Sequence, residues 1–182
     1  MRGNQAGGNP TGVLVGTAAG GAFALFDGGA CSLTISSSAI DHNQAFGGAN
    51  EAGGDGADGR DGGLSTHLGG TIIAGNCTVS RNEATGGAGG TGANGGNALG
   101  SFYNDGSTAL GVSSLQISGS TIIRNDVDGG SAGAGGNDGQ GIGGGLYLAT
   151  GGSVCLGTTT DVKKNRASTS SDDIFGAFTA CN

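Results

Sequence analysis

The side chains able to do chemistry in this chain are few, and their spacing limits what they can do. Asp55, Asp58 and Asp61 recur at every third position of a glycine-rich run. On a helix with three residues per turn they share one face, with successive carboxylates about 9 Å apart. Calcium takes six to eight oxygens at about 2.4 Å. These three aspartates are therefore the calcium candidates, but one such segment cannot close a site by itself. A solvated acidic face is the plainer reading, and no other cofactor is implied. His42 and His67 have no companions at a spacing that metal or triad chemistry uses, so no catalytic residue is assigned.

What positions these side chains follows from composition and periodicity. Glycine supplies 45 of the 182 residues, with one proline, Pro10, and no tryptophan. Soluble domains usually carry about 7% glycine. An excess of this size without collagen's proline means disorder, or a repeat with turns built in. Apolar residues make up 35% of the chain, enough for a narrow core. The formal charge is −7, from 7 basic and 14 acidic residues. Nucleic-acid binders carry a basic patch, so nucleic acid and anionic membrane are not expected partners. The apolar run from Val13 to Phe26 is shorter than the ~20 residues of a membrane span. The opening Met1-Arg2-Gly3-Asn4 lacks the apolar stretch of a secretory signal. If the chain is exported, the signal or anchor lies outside it.

One motif recurs roughly every 40 residues, a period that marks stacked repeats. It reads aliphatic, two free positions, Asn, one free position, small. The copies are Ile40 to Ala45, Val79 to Ala84, Ile122 to Val127 and Val162 to Ala167, with a stub at Asn4-Gln5-Ala6. Aligned on Asn43, Asn82, Asn125 and Asn165, the upstream positions group without gaps. They give Leu33, Ile72, Leu115 and Cys155, then Ile35, Ala74, Ile117 and Gly157, then Ser38, Cys77, Ser120 and Thr160. Two-residue alternation means strand, and each break of phase means a corner. Such a unit buries its apolar face only by stacking on copies of itself. The chain is therefore expected to be a single all-β domain, a right-handed parallel β-helix of about four coils over residues 1–182. Ile40, Val79, Ile122 and Val162 form one internal column in this scheme. The asparagines either form a ladder in which each amide bonds its neighbours, or serve only to tolerate left-handed turn geometry.

Glycine-led starts precede each unit: Gly20-Gly21-Ala22-Phe23, Gly63-Leu64, Gly100-Ser101-Phe102-Tyr103 and Gly144-Gly145-Leu146-Tyr147. Turns such as Asp27-Gly28-Gly29 and Asn104-Asp105-Gly106 follow them. Together with the aliphatic-x-x-Asn motif, these starts resemble the GGAI and FxxN repeats of polymorphic outer-membrane proteins. More broadly, they resemble the right-handed β-helices of bacterial surface proteins in the pectin-lyase-like group. The resemblance covers nearly the whole chain, with Ile or Val standing where that family has Phe. It implies export, surface exposure and often adhesion, without naming a ligand. Pectin-lyase-like enzymes use carboxylates, often with calcium, and an Arg or Lys base. The nearest analogues are Asp41, Arg81, Arg124 and Lys163, with Glu83 and Asp126, all in outward positions beside the Asn corner. They form no close acidic pair of the kind glycoside hydrolysis requires, so an enzyme is not expected.

A β-helix coil needs fewer residues than the period supplies, and the surplus is glycine-rich. Within Gly86 to Asn97, the side chains Ala88, Thr91, Asn94 and Asn97 recur by threes. Ser131, Ala134, Asn137 and Gln140 keep the same phase in the next insertion. Period three with glycine between is the pattern of a polyproline-II-like helix. Stacked insertions would form a glycine-helix layer along one side of the β-helix; disordered loops suit the same composition. Cys155 and Cys181 are expected to pair, which fits an oxidising compartment. They would pin residues 168–182 as a cap, with Phe175 and Phe178 over the last coil. Cys31 and Cys77 fall in different columns. The chain starts in mid-coil, and uncovered strand edges invite pairing.

The functional expectation is a secreted or cell-surface structural or adhesive module, with a self-assembling head-to-tail filament as its sharper form. Its partners would be itself, or an extracellular glycan or protein. The alternative is a polysaccharide-binding or polysaccharide-degrading β-helix. Ice binding ranks lower, because Thr34, Thr71 and Thr121 do not align in one column.

Overall fold

A computed structural model describes residues 1–8, 16–26 and 31–181. The turn Asp27-Gly28-Gly29 and Pro10 lie outside the described residues. The chain winds through five short strands per coil, and each strand pairs in parallel with its counterpart one coil away. Sheet I contains Ala18–Ala19, Gly59–Arg60, Ala98–Leu99 and Gly141–Ile142. Sheet II contains Phe23–Phe26, Leu64–His67, Phe102–Asn104, Leu146–Leu148 and Ile174–Phe175. Sheet III contains Ser32–Ser36, Thr71–Gly75, Ser114–Ser118, Ser153–Gly157 and Thr179–Cys181. Sheet IV contains Ala39–Asp41, Thr78–Ser80, Thr121–Ile123 and Asp161–Lys163. Sheet V contains Gln5–Gly7, Gln44–Phe46, Glu83–Thr85, Asp126–Asp128 and Arg166–Ala167. One antiparallel hairpin, Ser107–Thr108 with Gly111–Val112, leaves the stack between sheets II and III. The architecture is a parallel β-solenoid of about four turns.

Alternation along each strand sends every second residue inward, and stacking turns these residues into columns. Ile40, Val79 and Ile122 pair in register and are fully buried, with Val162 half-buried at the end of the same column. The fourth coil departs from the gapless alignment upstream of its asparagine. Leu115 pairs with Val154 and Ile117 with Leu156, so Cys155 and Gly157 are not in the core columns. One extra residue in the corner before Val162 shifts the frame. A one-residue shift exchanges the two faces of a strand, which places Cys155 opposite Gln116.

The corner between sheets IV and V is left-handed, but the residue that adopts that conformation precedes the asparagine. His42, Arg81, Arg124 and Lys164 have φ of 56°, 53°, 57° and 56°. This costs each a local penalty, offset by the ladder it orients. The asparagines do form a ladder. Asn4, Asn43, Asn82 and Asn125 each donate Nδ2 to the Oδ1 of the next asparagine, at 2.9, 2.9, 3.0 and 2.9 Å. The backbone N–H of each donates to the same oxygen. The second Nδ2 hydrogens of Asn82, Asn125 and Asn165 reach the carbonyls of Ile40, Val79 and Ile122. At the top, Asp173 Oδ1 accepts from Asn165 Nδ2 at 2.9 Å. A carboxylate only accepts, so the ladder ends there.

The tail covers the last coil, with Phe175 stacked on Tyr147 at 5.0 Å. It continues the solenoid, adding one strand each to sheets II and III, and Phe175 and Phe178 stay 37% and 47% exposed. Cys155 and Cys181 are disulfide-bonded across neighbouring strands, with Cα atoms 5.7 Å apart; Cys31 and Cys77 are free. The bond closes a loop with a sequence separation of 26, for which chain entropy predicts roughly 3.5 kcal/mol. Reduction is therefore expected to free the strand Thr179–Cys181 before the rest unfolds. The check is hydrogen exchange with and without reductant; unchanged protection of that strand would refute it.

Candidate functional site

The glycine insertions are ordered as hairpins of two extended arms. A zigzag of backbone bonds runs through them from coil to coil. Ala57 N–H donates to Gly48 O at 3.0 Å, and each following step is 2.8 Å: Gly87 to Ala57, Gly96 to Gly87, Gly130 to Gly96 and Gly139 to Gly130. Neighbouring residues in each arm bond in other directions, such as Gly86 N–H to Asp128 O and Gly95 N–H to Asn137 O. Bonds radiating with period three are what a polyproline-II-like helix offers when glycine leaves its N–H groups free. A Cβ added at Gly95, Gly96 or Gly139 would sit 1.9, 2.0 or 1.9 Å from a neighbouring carbonyl oxygen. Only glycine permits this approach.

The layer is finished by side-chain acceptors. Ser168 Oγ takes Gly129 N–H, Thr169 Oγ1 takes Gly141 N–H, and Asp138 Oδ1 takes Ala132 N–H. The returning arm of each hairpin, the back arm, contains residues 55–58, 94–97 or 137–140, and the back arms carry two polar columns on the outside. Asp55 Oδ1 accepts Asn94 N–H at 2.8 Å, and Asn94 Oδ1 accepts Asn137 N–H at 3.0 Å. Asp58 Oδ1 accepts Asn97 N–H at 2.8 Å, and Asn97 Oδ1 accepts Gln140 N–H at 2.9 Å.

The three calcium candidates do not share a face. Asp58 is also ion-paired with Arg60 at 2.8 Å. Asp61 lies beyond the arm, in a corner with φ 57° where the other coils place Gly20, Gly100 and Gly143. Among the described residues, no group of three or more His, Cys, Asp or Glu is arranged to hold a metal.

Asp61 instead belongs to a buried cluster on the outer face of sheet II. Its Oδ2 accepts Gly20 N–H at 2.8 Å and lies 3.6 Å from His67 Nε2. His67 Nδ1 is 3.9 Å from Asp105 Oδ2, so neither contact is a hydrogen bond. Asp105 is held by Leu68 N–H at 2.7 Å and by the Ser113 hydroxyl. Asp61 Oδ1, Ser65 Oγ and His67 Nε2 are buried without hydrogen-bond partners. His67 also sits in an aromatic column. Ring centroids are 4.2 Å apart from Phe26 to His67, 5.0 Å from His67 to Tyr103, 5.3 Å from Tyr103 to Tyr147 and 5.0 Å from Tyr147 to Phe175. Both faces of the imidazole are thus covered by rings, and burial pushes the Tyr103 phenol up to about 12.

Burial also raises the Asp61 carboxyl above its usual range, against the opposing effects of His67, Ser65 and Gly20. A carboxyl whose folded-state pKa is raised favours the folded state below the ordinary aspartate value. It gives up that stability as pH rises through the raised value. Asp61→Asn keeps the acceptor for Gly20 and removes the titration. The variant is expected to flatten the fall of the urea midpoint as pH rises above the ordinary aspartate value of about 4. An unchanged pH profile would contradict the assignment.

The outward residues beside the Asn corner are tied to one another. Asp41 receives Ser80 Oγ at 2.8 Å, Arg81 at 3.3 Å, His42 Nδ1 at 2.8 Å and Arg2 at 3.5 Å. Desolvation pushes its carboxyl up, but the Ser80, His42 and Arg81 contacts outweigh it and hold it below the usual value. Glu83 Oε2 accepts Gln44 Nε2 at 2.8 Å. Asp126 pairs with Arg166 at 2.8 Å, and Lys163 with Asp161. Arg124 is exposed at its corner. Thr34, Thr71 and Thr121 pair with Ile73, Ser114 and Thr78, which places them in three different columns.

Sequence reasoning missed the aromatic column and the capping role of Asp173. The matching Tyr103 and Tyr147 after the glycine-led starts were the available signal for the first. No pattern marks the second. Compared with known proteins, the chain matches no family model, no curated protein and no solved structure.

Proposed function

We propose that the chain is a rigid extracellular structural or adhesive module, a two-layered rod in which a β-solenoid is widened by a glycine-helix layer. The observation that carries this reading is the unbroken backbone zigzag from Gly48 to Gly139. It turns what would be flexible loops into a second wall. The disulfide and the stacking of chemistry-bearing side chains on structural partners support it further. An oxidising, exposed setting suits a disulfide-bonded domain. Hydrogen exchange tests the reading directly. The amides of Ala57, Gly87, Gly96, Gly130 and Gly139 should be protected like those of the sheets. Exchange at unfolded-chain rates there would remove the second wall and the proposal with it.

The filament form has one observation in its favour: Phe26 and Phe175 end the aromatic column and are 58% and 37% exposed. Against it, Asp173, Ser168 and Thr169 end the ladders with acceptors, a device that blunts edge growth. Light scattering with electron microscopy over rising concentration is expected to show single particles. Filaments would establish the head-to-tail form instead.

A further inference from the structure

The geometry points to a binding trench for a neutral linear oligosaccharide on the outer face of the glycine layer, a ligand class that rests on the adhesive reading above. The trench lies between the two polar columns of the back arms and is walled by Asp55, Asn94 and Asn137 on one side and Asp58, Asn97 and Gln140 on the other. Its floor is the backbone of Gly56, Gly95, Gly96 and Gly139. Three residues of an extended arm separate the walls, about 9 Å. Successive rungs repeat at about 4.8 Å. That spacing is on the scale of a sugar ring, and the channel is open along its length.

The walls are held before any ligand arrives. The Oδ1 atoms of Asp55, Asp58, Asn94 and Asn97 each accept a backbone N–H from the next coil at 2.8, 2.8, 3.0 and 2.9 Å. This fixes the side chains and leaves the other polar ends of Asp55, Asn94 and Asn97 uncommitted, while Asp58 Oδ2 is paired with Arg60. The side-chain nitrogens Asn94 Nδ2, Asn97 Nδ2 and Gln140 Nε2 donate to no partner among the described residues. Preorganised donors and acceptors that lose little entropy on binding are what polyhydroxylated ligands need. The floor has no side chains to obstruct a ring.

Charge narrows the class. Asp55 and Asp138 bring negative charge to the trench, and the chain carries a net −7, so an anionic polysaccharide would be repelled. Arg60, two residues beyond Asp58, is engaged by it at 2.8 Å. A neutral chain of hydroxyl or acetamido sugars meets amide donors on both walls and the Asp55 carboxylate on one.

The test is calorimetric titration of the intact chain with cellohexaose and with chitohexaose. The site variant is Asn94→Asp with Asn97→Asp. Aspartate already serves the same backbone contact one coil below, at Asp55 and Asp58, so the wall stands while its donors are lost. Saturable binding by the native chain, weakened at least tenfold in the double variant, is the expected result. Gln140→Ala, which leaves the Gln140 backbone contact untouched, guards against a folding defect and should weaken binding as well. Absence of binding to both sugars overturns the proposal. Binding that neither variant alters places the ligand elsewhere and overturns the trench. Either outcome leaves the rod reading standing, because hydrogen exchange decides that separately.

Discussion

Gly96→Ala is expected to destabilise the chain by about 4 kcal/mol or more, in the range reserved for substitutions that break packing outright. For a chain of this length that is a fall in Tm of roughly 8 to 16 °C. The added Cβ would lie 2.0 Å from the Ala57 carbonyl oxygen and 2.5 Å from its carbon. Both are backbone atoms of the arm packed alongside, so no rotamer change relieves the clash. The back arm must move away, and the bonds from Gly96 N–H to Gly87 O and from Gly130 N–H to Gly96 O, each 2.8 Å, would go with it. Gly92 is the control. It lies at the hairpin tip with φ +78°, and a Cβ added there would meet nothing within 4 Å. Its replacement by alanine should cost only the left-handed penalty, about 1 kcal/mol. Urea or thermal unfolding compares the two. Equal effects would mean that the arms do not pack as a layer.

Asn82→Asp should be nearly as damaging, although it changes one atom. Asn82 is fully buried. Its Oδ1 accepts the backbone N–H and Nδ2 of Asn43 at 3.0 and 2.9 Å, and its Nδ2 donates to Ile40 O and Asn125 Oδ1, each at 3.0 Å. Aspartate keeps the acceptor and loses both donations. It then buries a charge with an oxygen facing two other oxygens. Unsatisfied buried groups cost about 1 to 3 kcal/mol each, and a charge costs more. A loss of about 4 kcal/mol or more is expected, measured by equilibrium unfolding. Asp173→Asn tests the same logic from the other end. Asparagine there still accepts from Asn165, so the change should stay within about 1 kcal/mol. If Asn82→Asp were equally mild, the ladder would not be holding the corner.

The repeat was legible because stacking writes itself into sequence. Residues in one column share an environment, so Ile40, Val79 and Ile122, and the asparagines that follow them, recur at matched positions. Strand alternation and phase breaks then fixed the class of fold and the corner at each asparagine. The period of three in the insertions limited their conformations to two, an ordered glycine layer or disorder. Composition alone could not choose between these, because glycine serves both. The choice depends on whether arms from successive coils lie close enough to bond, which is a property of the stack.

The columns, then, are written in the order of residues: which side chains lie inward, where the chain turns, and which positions tolerate only a small or amide side chain. Those features are local and repeat with each coil, so one chain carries several copies of the same signal. The remainder came from packing in three dimensions. Stacking set the frame shift that moves Cys155 outward, the pairing of the tail as further strands, and the left-handed residue before each asparagine. It also gathered Asp61, His67 and Asp105, and opened the trench between the back arms. The frame shift, the strands of the tail and the Asp61 cluster depend on contacts between residues that differ from coil to coil, at positions where the repeat is broken. A contact made once leaves no period to read, and its partners are set by how the coils stack in space.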